Sequence, residues 1–273
     1  MTTSTSGRLV GKVAYITGAA RGQGRAHAVR LAAEGADIIA IDNCVKAATT
    51  SYDGPTEADL AETARLVEAQ GRGILARTVD VRDLDGQVAV VKDGVSEFGR
   101  LDVVVANAGI CSGAMSWEIP VEKWRETIDV NLTGTFFTAK ATVPVLLEQG
   151  TGGSIIIISS VAGLRGLPFL ADYAASKHGV VGLAKTMANE LGQHNIRVNT
   201  VHPHGVATGM MPLEMMELAG QHSTTLAPIL MQALPDPVSQ PEDIANAVAW
   251  LASDEARHVT GIQLPVDLGT LVR

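Results

Sequence analysis

Two cysteines, Cys44 and Cys111, are all that the 273 residues contain, and they fall in different parts of the chain. Neither belongs to a Cys-x-x-Cys pair. That argues against a disulfide framework or a thiolate zinc site and fits a reducing compartment, the cytoplasm. Long apolar runs are also missing: no stretch reaches the roughly 18 residues that a membrane helix needs. Positive charge is scarce. Lys and Arg number 21 against 29 Asp and Glu, a net charge of −8, and no basic run of five occurs. Nucleic acid and anionic membranes are therefore poor partners. Residues 1–7 are rich in Thr and Ser without the apolar centre of a secretory signal, and residues 1–8 read as a flexible tail.

What is present is enough for a large core: 46% of residues are hydrophobic and 18% charged. With no break in composition, residues 9–273 read as one domain. Short β-branched runs at 12–17, 36–42, 73–81, 101–106, 154–159, 196–202 and 262–266 read as strands. Helical stretches at 23–34, 57–70, 83–98, 121–149, 173–192 and 241–252 separate them, and glycine often marks the change. Strand, helix, strand, repeated, means parallel pairing with right-handed crossovers. The fold expected is a single α/β unit of Rossmann type: a doubly wound parallel sheet of about seven strands with helices on both faces. Two stretches break the rhythm. Residues 43–56 form a long connection after the second strand. Residues 205–240 hold four prolines, five methionines and no clear period, as lids and binding loops do.

The turn after the first strand reads Thr17-Gly18-Ala19-Ala20-Arg21-Gly22-Gln23-Gly24. Glycines there allow a tight turn and close approach of backbone to a pyrophosphate, which the opening helix attracts with free N–H groups. Packing alone also explains such a turn. Asp42 tips the balance: it ends the second strand 18 residues beyond Gly24, where a carboxylate accepts from a ribose 2′-hydroxyl and repels a 2′-phosphate. This favours NAD over NADP, with Arg21 as the opposing signal. Asp80-Val81 is expected to end the third strand, with Asp80 placed to bond an adenine amino group. Asn107-Ala108-Gly109 follows the fourth strand, also at the carboxyl edge of the sheet where ligands bind.

Tyr173 and Lys177 are four residues apart on an expected helix and share a face. A phenol with a pKa near 10 is a poor base, and a nearby ammonium lowers that pKa. Ser160, at the end of the fifth strand, offers a hydroxyl to a substrate oxygen. Asn131 lies inside a helical stretch where asparagine is a mediocre former; a kink or a bound water would explain it, and so would simple solvation.

With these residues in hand, the chain resembles the short-chain dehydrogenase/reductase family. The glycine turn, the Ala106–Gly109 segment, Asn131, Ser160, the Tyr173/Lys177 pair and the 203–208 turn fall in that family's order along nearly the whole chain. The resemblance implies an NAD-linked hydride transfer with Asn131, Ser160, Tyr173 and Lys177 as a catalytic tetrad and Tyr173 as general acid and base. It implies that Lys177 holds the nicotinamide ribose, that Asn131 holds a relay water, that Val206 and Thr208 lie at the carboxamide, and that Pro203 also binds the cofactor. It also implies a homotetramer built through residues 121–149, 173–192 and the last strand. His204, between Pro203 and Gly205, departs from the usual Pro-Gly. The extended 43–56 segment and the stretches at 79–83, 202–206 and 264–267 are most similar to the mycofactocin-associated, carveol dehydrogenase-like subgroup. That likeness implies that loop 43–56 covers the cofactor and slows its exchange, so that turnover needs an external redox carrier.

The substrate expected is a small hydrophobic secondary alcohol, such as a terpenoid like carveol, or its ketone. It would sit under a lid at 205–240 whose Met210, Met211, Met215, Met216, Leu218 and Leu226 offer pliable apolar surface. An amphipathic helix packed on the core would explain those residues as well. The seven histidines are scattered, and structural roles are expected for them rather than a metal site. Two other functions are weighed. A 3-ketoacyl-thioester reductase of the same fold would prefer NADP, against Asp42. A non-catalytic nucleotide-sensing module would have no need of the tetrad.

Overall fold

The computed structural model describes residues 7–210 and 212–273. Residues 1–6 of the expected tail, and Met211 of the expected lid, lie outside the described residues. Seven parallel strands form one sheet: β1 (Val13–Thr17), β2 (Asp37–Asp42), β3 (Ile74–Thr78), β4 (Val103–Ala106), β5 (Gly153–Ile158), β6 (Ile196–Pro203) and β7 (Gln263–Val266). Their spatial order is β3-β2-β1-β4-β5-β6-β7. Side chains alternate across each strand. Ala14, Ile16, Ile38 and Ala40 face α1 (Gly22–Ala33), α2 (Glu57–Glu68) and α8 (Pro241–Ala252). Tyr15, Ile39, Ile41 and Val104 face α3 (Leu84–Phe98), α5 (Gly134–Gln149) and α6 (Ala171–Leu191). Each Ile or Leu so buried contributes about 1.5–3 kcal/mol. β1 stands between β2 and β4, so the chain reverses its winding there. A crevice opens beyond the carboxyl ends of those strands.

Four boundaries differ from the sequence reading, each for a local reason. The tail was expected to reach residue 8, yet Arg8 is held by ion pairs to Glu34 (2.7 Å) and Glu255 (3.0 Å), and Leu9 is fully buried. β3 stops at Thr78. Asp80 and Val81 lie beyond it in a turn that Asp80 closes on the Arg82 backbone N–H (2.8 Å). Residues 121–149 form α4 (Val121–Ile128) and α5, joined by a widened π-turn over Asp129–Thr133. The 205–240 excursion is not irregular throughout. It carries α7 (Leu213–Gln221), and its two ends are stitched together by Ala207 N–H to Ser239 O and Ser239 N–H to Gly205 O, both 2.9 Å.

Candidate active site

Along the crevice runs one cavity of about 910 Å³. Gly18, Arg21, Gly22, Gln23 and Gly24 line it after β1, and Asp42 after β2. Asp80, Val81, Asn107, Ala108 and Gly109 follow after β3 and β4. Ser160, Tyr173, Lys177, Pro203, Val206 and Thr208 line its other end. Of the expected catalytic and cofactor residues, Asn131 alone is missing from the lining, because it is fully buried behind Ile110; of the expected lid residues Met210 and Met215 line the cavity, and Met216, Leu218 and Leu226 do not.

The glycine turn is built for close approach. Gly18 has φ +66°, and a Cβ there would stand 2.8 Å from Ala108 Cα; a Cβ on Gly24 would stand 1.9 Å from the Gly18 carbonyl oxygen. Among the described residues no side chain caps the start of α1, so its first N–H groups are left for an anion. Gln23 Oε1 is buried without a hydrogen-bond partner among the described residues, as an atom reserved for a ligand would be. Asn107 braces the turn, donating from Nδ2 to the Thr17 and Gly18 carbonyls (3.0 and 3.2 Å). Bracing the turn therefore accounts for this side chain.

Asp42 is buried at the cavity wall. Its carboxylate accepts from Ala20 N–H (3.0 Å) and Cys44 N–H (3.1 Å). Burial pushes its pKa up, and those two backbone donors pull it back. Arg21, the opposing signal, is committed elsewhere: its guanidinium donates to the Asp53 carbonyl and packs against Gly209, joining the two irregular segments across the cavity. Asp80 is held by Arg82 (2.9 and 2.6 Å) and Asn43 (3.2 Å), so an adenine amino group would share a carboxylate already engaged.

At the far end, Lys177 Nζ donates to the Ile158 carbonyl at the tip of β5 (2.8 Å) and stands 5.6 Å from the centre of the Tyr173 ring. Ser160 Oγ accepts from Ala162 N–H (3.1 Å) and donates weakly to the Pro203 carbonyl (3.4 Å). Burial lowers the Lys177 ammonium to about 8. It also pushes the Tyr173 phenol up, with the Cys111 thiol adding to the rise and a hydrogen bond with the Ser160 hydroxyl opposing it. The sequence reading had the ammonium lowering this phenol; in the protein alone, burial pushes it the other way. Asn131 acts from behind. Its Oδ1 accepts from Ile110 N–H (2.8 Å), and its Nδ2 donates to the Ile110 carbonyl (2.9 Å) and to Ser176 Oγ (3.1 Å). The π-turn carries this asparagine inward to clamp the strand-end loop.

Two further residues belong to the site, of which Tyr52 escaped the sequence reading. His202 is fully buried, with Nδ1 2.6 Å from the Ser160 carbonyl and Nε2 2.7 Å from Thr200 Oγ1. Tyr52 reaches in from loop 43–56, its hydroxyl accepting from Cys111 N–H (3.1 Å). A lone aromatic in a loop of small and polar residues was the one available signal for it. The loop itself is pinned by Glu126 of α4, which accepts from Ala48 N–H (3.1 Å), Thr49 N–H (2.9 Å) and Thr49 Oγ1.

Among known proteins, a family model described as short chain dehydrogenase matches residues 12–217. The chain is 44% identical over 275 residues to (−)-trans-carveol dehydrogenase of Rhodococcus erythropolis, covering 97% of this chain and 99% of that one. A crystal structure of a short chain dehydrogenase from Mycobacterium paratuberculosis bound to NAD is 53% identical, with TM-score 0.94 over 98% of this chain and 100% of that one. Carveol dehydrogenase from Mycobacterium avium in complex with NAD is 48% identical, with TM-score 0.92 over the same shares. Among the described residues no helix is long and apolar enough to cross a membrane.

Proposed function

The chain belongs to the short-chain dehydrogenase family, and from that premise we propose that this NAD-dependent oxidoreductase interconverts a hydrophobic secondary alcohol and its ketone. The observation that carries the reading is the convergence of Ser160, Tyr173 and Lys177 on the apolar end of the nucleotide cavity. The nicotinamide, when bound, supplies the hydride acceptor or donor. Asp42 receives the adenosine ribose hydroxyls, and the uncapped start of α1 with Gly18, Gly22 and Gln23 receives the pyrophosphate. Lys177 holds the nicotinamide ribose, and Pro203, Val206 and Thr208 hold the carboxamide. Ser160 orients the substrate oxygen, and Tyr173 Oη takes or gives its proton. A phenol raised by burial is ready as the acid of ketone reduction. For oxidation it needs added positive charge, which Lys177 and an oxidised nicotinamide provide. A relay water beside Asn131 would complete the proton path.

Cys111, Leu167, Leu170, Met210, Met215 and Leu230 pack as one apolar cluster around Tyr173, which suits a cyclic terpenoid alcohol and leaves little for a polar acyl carrier arm. The covering loop gives a reason for slow cofactor exchange and for an external redox carrier. Exposed Val121, Trp124 and Phe136 on α4 and α5 support assembly as a homotetramer through that face.

The test is Tyr173→Phe. Turnover of a secondary alcohol, with NAD or an artificial electron acceptor, should fall at least 10²-fold while NADH binding, read by nucleotide fluorescence, stays. Unchanged activity would remove Tyr173 from the mechanism, whereas wild-type protein that binds the nucleotide and turns over no alcohol would leave the sensing-module reading in its place.

A further inference from the structure

Loop 43–56 does more than lie over the nucleotide. Its residue Tyr52 is half-buried and lines the same cavity as Tyr173. The partner of its hydroxyl is the backbone N–H of Cys111. Cys111 belongs to the apolar cluster formed with Leu167, Leu170, Tyr173 and Met215, which is the substrate end of the cavity and not the ribose or pyrophosphate end. One residue earlier, Ser51 Oγ donates to Glu214 Oε2 of α7 at 2.7 Å and accepts from Leu213 N–H at 3.3 Å. Glu214 also stands 4.0 Å from Lys123 Nζ of α4. The start of α7 is in turn pressed on the loop after β4, since a Cβ on Gly113 would stand 2.7 Å from Met215 N. Tyr52 is thus fixed at its hydroxyl to one wall of the apolar chamber, and the residue before it is fixed to the helix forming another.

From this geometry we infer that Tyr52 is a specificity-determining residue for the alcohol. The cofactor-covering loop supplies a wall of the substrate chamber, and the Ser51–Glu214 clasp sets where that wall stands. The inference rests on the dehydrogenase reading above. Its chemical content is a size limit. An aromatic ring locked at the chamber wall excludes bulk that a smaller side chain would admit, and differences of this kind between substrates are worth about 10–200-fold in a pocket.

The experiment compares wild type, Tyr52→Ala, Tyr52→Phe and Ser51→Ala on cyclic secondary alcohols graded from cyclopentanol through carveol to menthol. An artificial electron acceptor is supplied alongside NAD, and NADH dissociation is followed separately by fluorescence. Tyr52→Ala should raise the ratio of kcat/KM for the bulkiest alcohol to that for the smallest at least tenfold. Ser51→Ala should move the ratio the same way by less. Tyr52→Phe, which keeps the ring and loses the acceptor for Cys111, should fall between wild type and alanine. A ratio within twofold of wild type in every variant that folds, whatever happens to NADH dissociation, would make Tyr52 a nucleotide residue only and overturn the inference. Wild-type protein that oxidises none of the series would instead sink the dehydrogenase reading, and this inference with it.

Discussion

Asp42 holds the glycine turn and, with the same carboxylate, lines the cavity proposed for the nucleotide. Two backbone N–H groups bond it, and hydrogen bonds to a charged acceptor are worth about 1.5–3 kcal/mol. Its charge is therefore kept in a buried place that would otherwise neutralise it. A second ligand group meeting this oxygen must donate, as a ribose hydroxyl does, and must not be a phosphate. Asp42→Asn keeps the shape and one acceptor but loses the charge. The ratio of kcat/KM with NAD to that with NADP should fall roughly 10–100-fold, which is the same 1.5–3 kcal/mol expressed as a ratio. An unchanged ratio would mean that Asp42 serves the turn alone. Arg21 will not rescue NADP in the variant, because its guanidinium already ties Asp53 to the lid side of the cavity.

Elements that pack on the sheet were legible in the sequence, and elements held by distant anchors were not. Runs such as Ile155–Ile158 are buried on both faces, so their composition alone marks a parallel strand. Gly99, in the left-handed region at φ 82°, ends α3 where the sequence places its stop. The bounds of α7, in the segment expected to form a lid, were not legible because Leu213 and Met216 are more than half exposed; a helix that buries no stripe leaves no period. Tyr52 escaped because its position depends on Glu126 and Glu214, which are 77 and 163 residues from the loop positions they bind. The same anchors give the loop a measurable strength. Glu126 takes three donors from it. Glu126→Ala hands the exposed Ala48 N–H to water and leaves the part-buried Thr49 N–H without its acceptor, a cost of about 1–3 kcal/mol. NADH dissociation, followed by fluorescence after dilution into excess NAD, should speed up at least tenfold, and Glu126→Gln, which keeps the acceptor, should change it less. If both variants release NADH at the wild-type rate, the loop does not hold the cofactor.

At the scale of the whole molecule, acid sensitivity follows from histidines that the fold keeps neutral, chiefly His27 and His202, with half-buried His204 lowered by burial in the same direction. His27 of α1 is fully buried beside Asn107, and neither ring nitrogen has a hydrogen-bond partner of good geometry among the described residues. Burial lowers it from 6.5 to about 3. His202, wedged between Ser160 and Thr200, is lowered by burial to about 4, with the Ser160 carbonyl opposing the fall. Below pH 6.5 the unfolded chain takes up protons that the folded chain refuses, so stability is full above that pH and is lost as pH falls toward 4 and then 3. At pH 5 His27 and His202 have each cost about 2 kcal/mol, from 1.5 units at 1.36 kcal/mol per unit. Together that is a large share of the 5–15 kcal/mol typical of a domain. Carboxylates held low by a partner, such as Glu34 beside Arg8, lose their contribution only below about pH 4.5. They do not blur the window from pH 6.5 to 5. Urea unfolding should therefore give a free energy about 4 kcal/mol lower at pH 5 than at pH 7. In His27→Leu, which removes one titrating ring, the difference between the two pH values should shrink to about 2 kcal/mol even if the variant is less stable at both. Equal stability at pH 5 and 7, or an undiminished difference in His27→Leu, would show that the interior admits a proton at these rings after all.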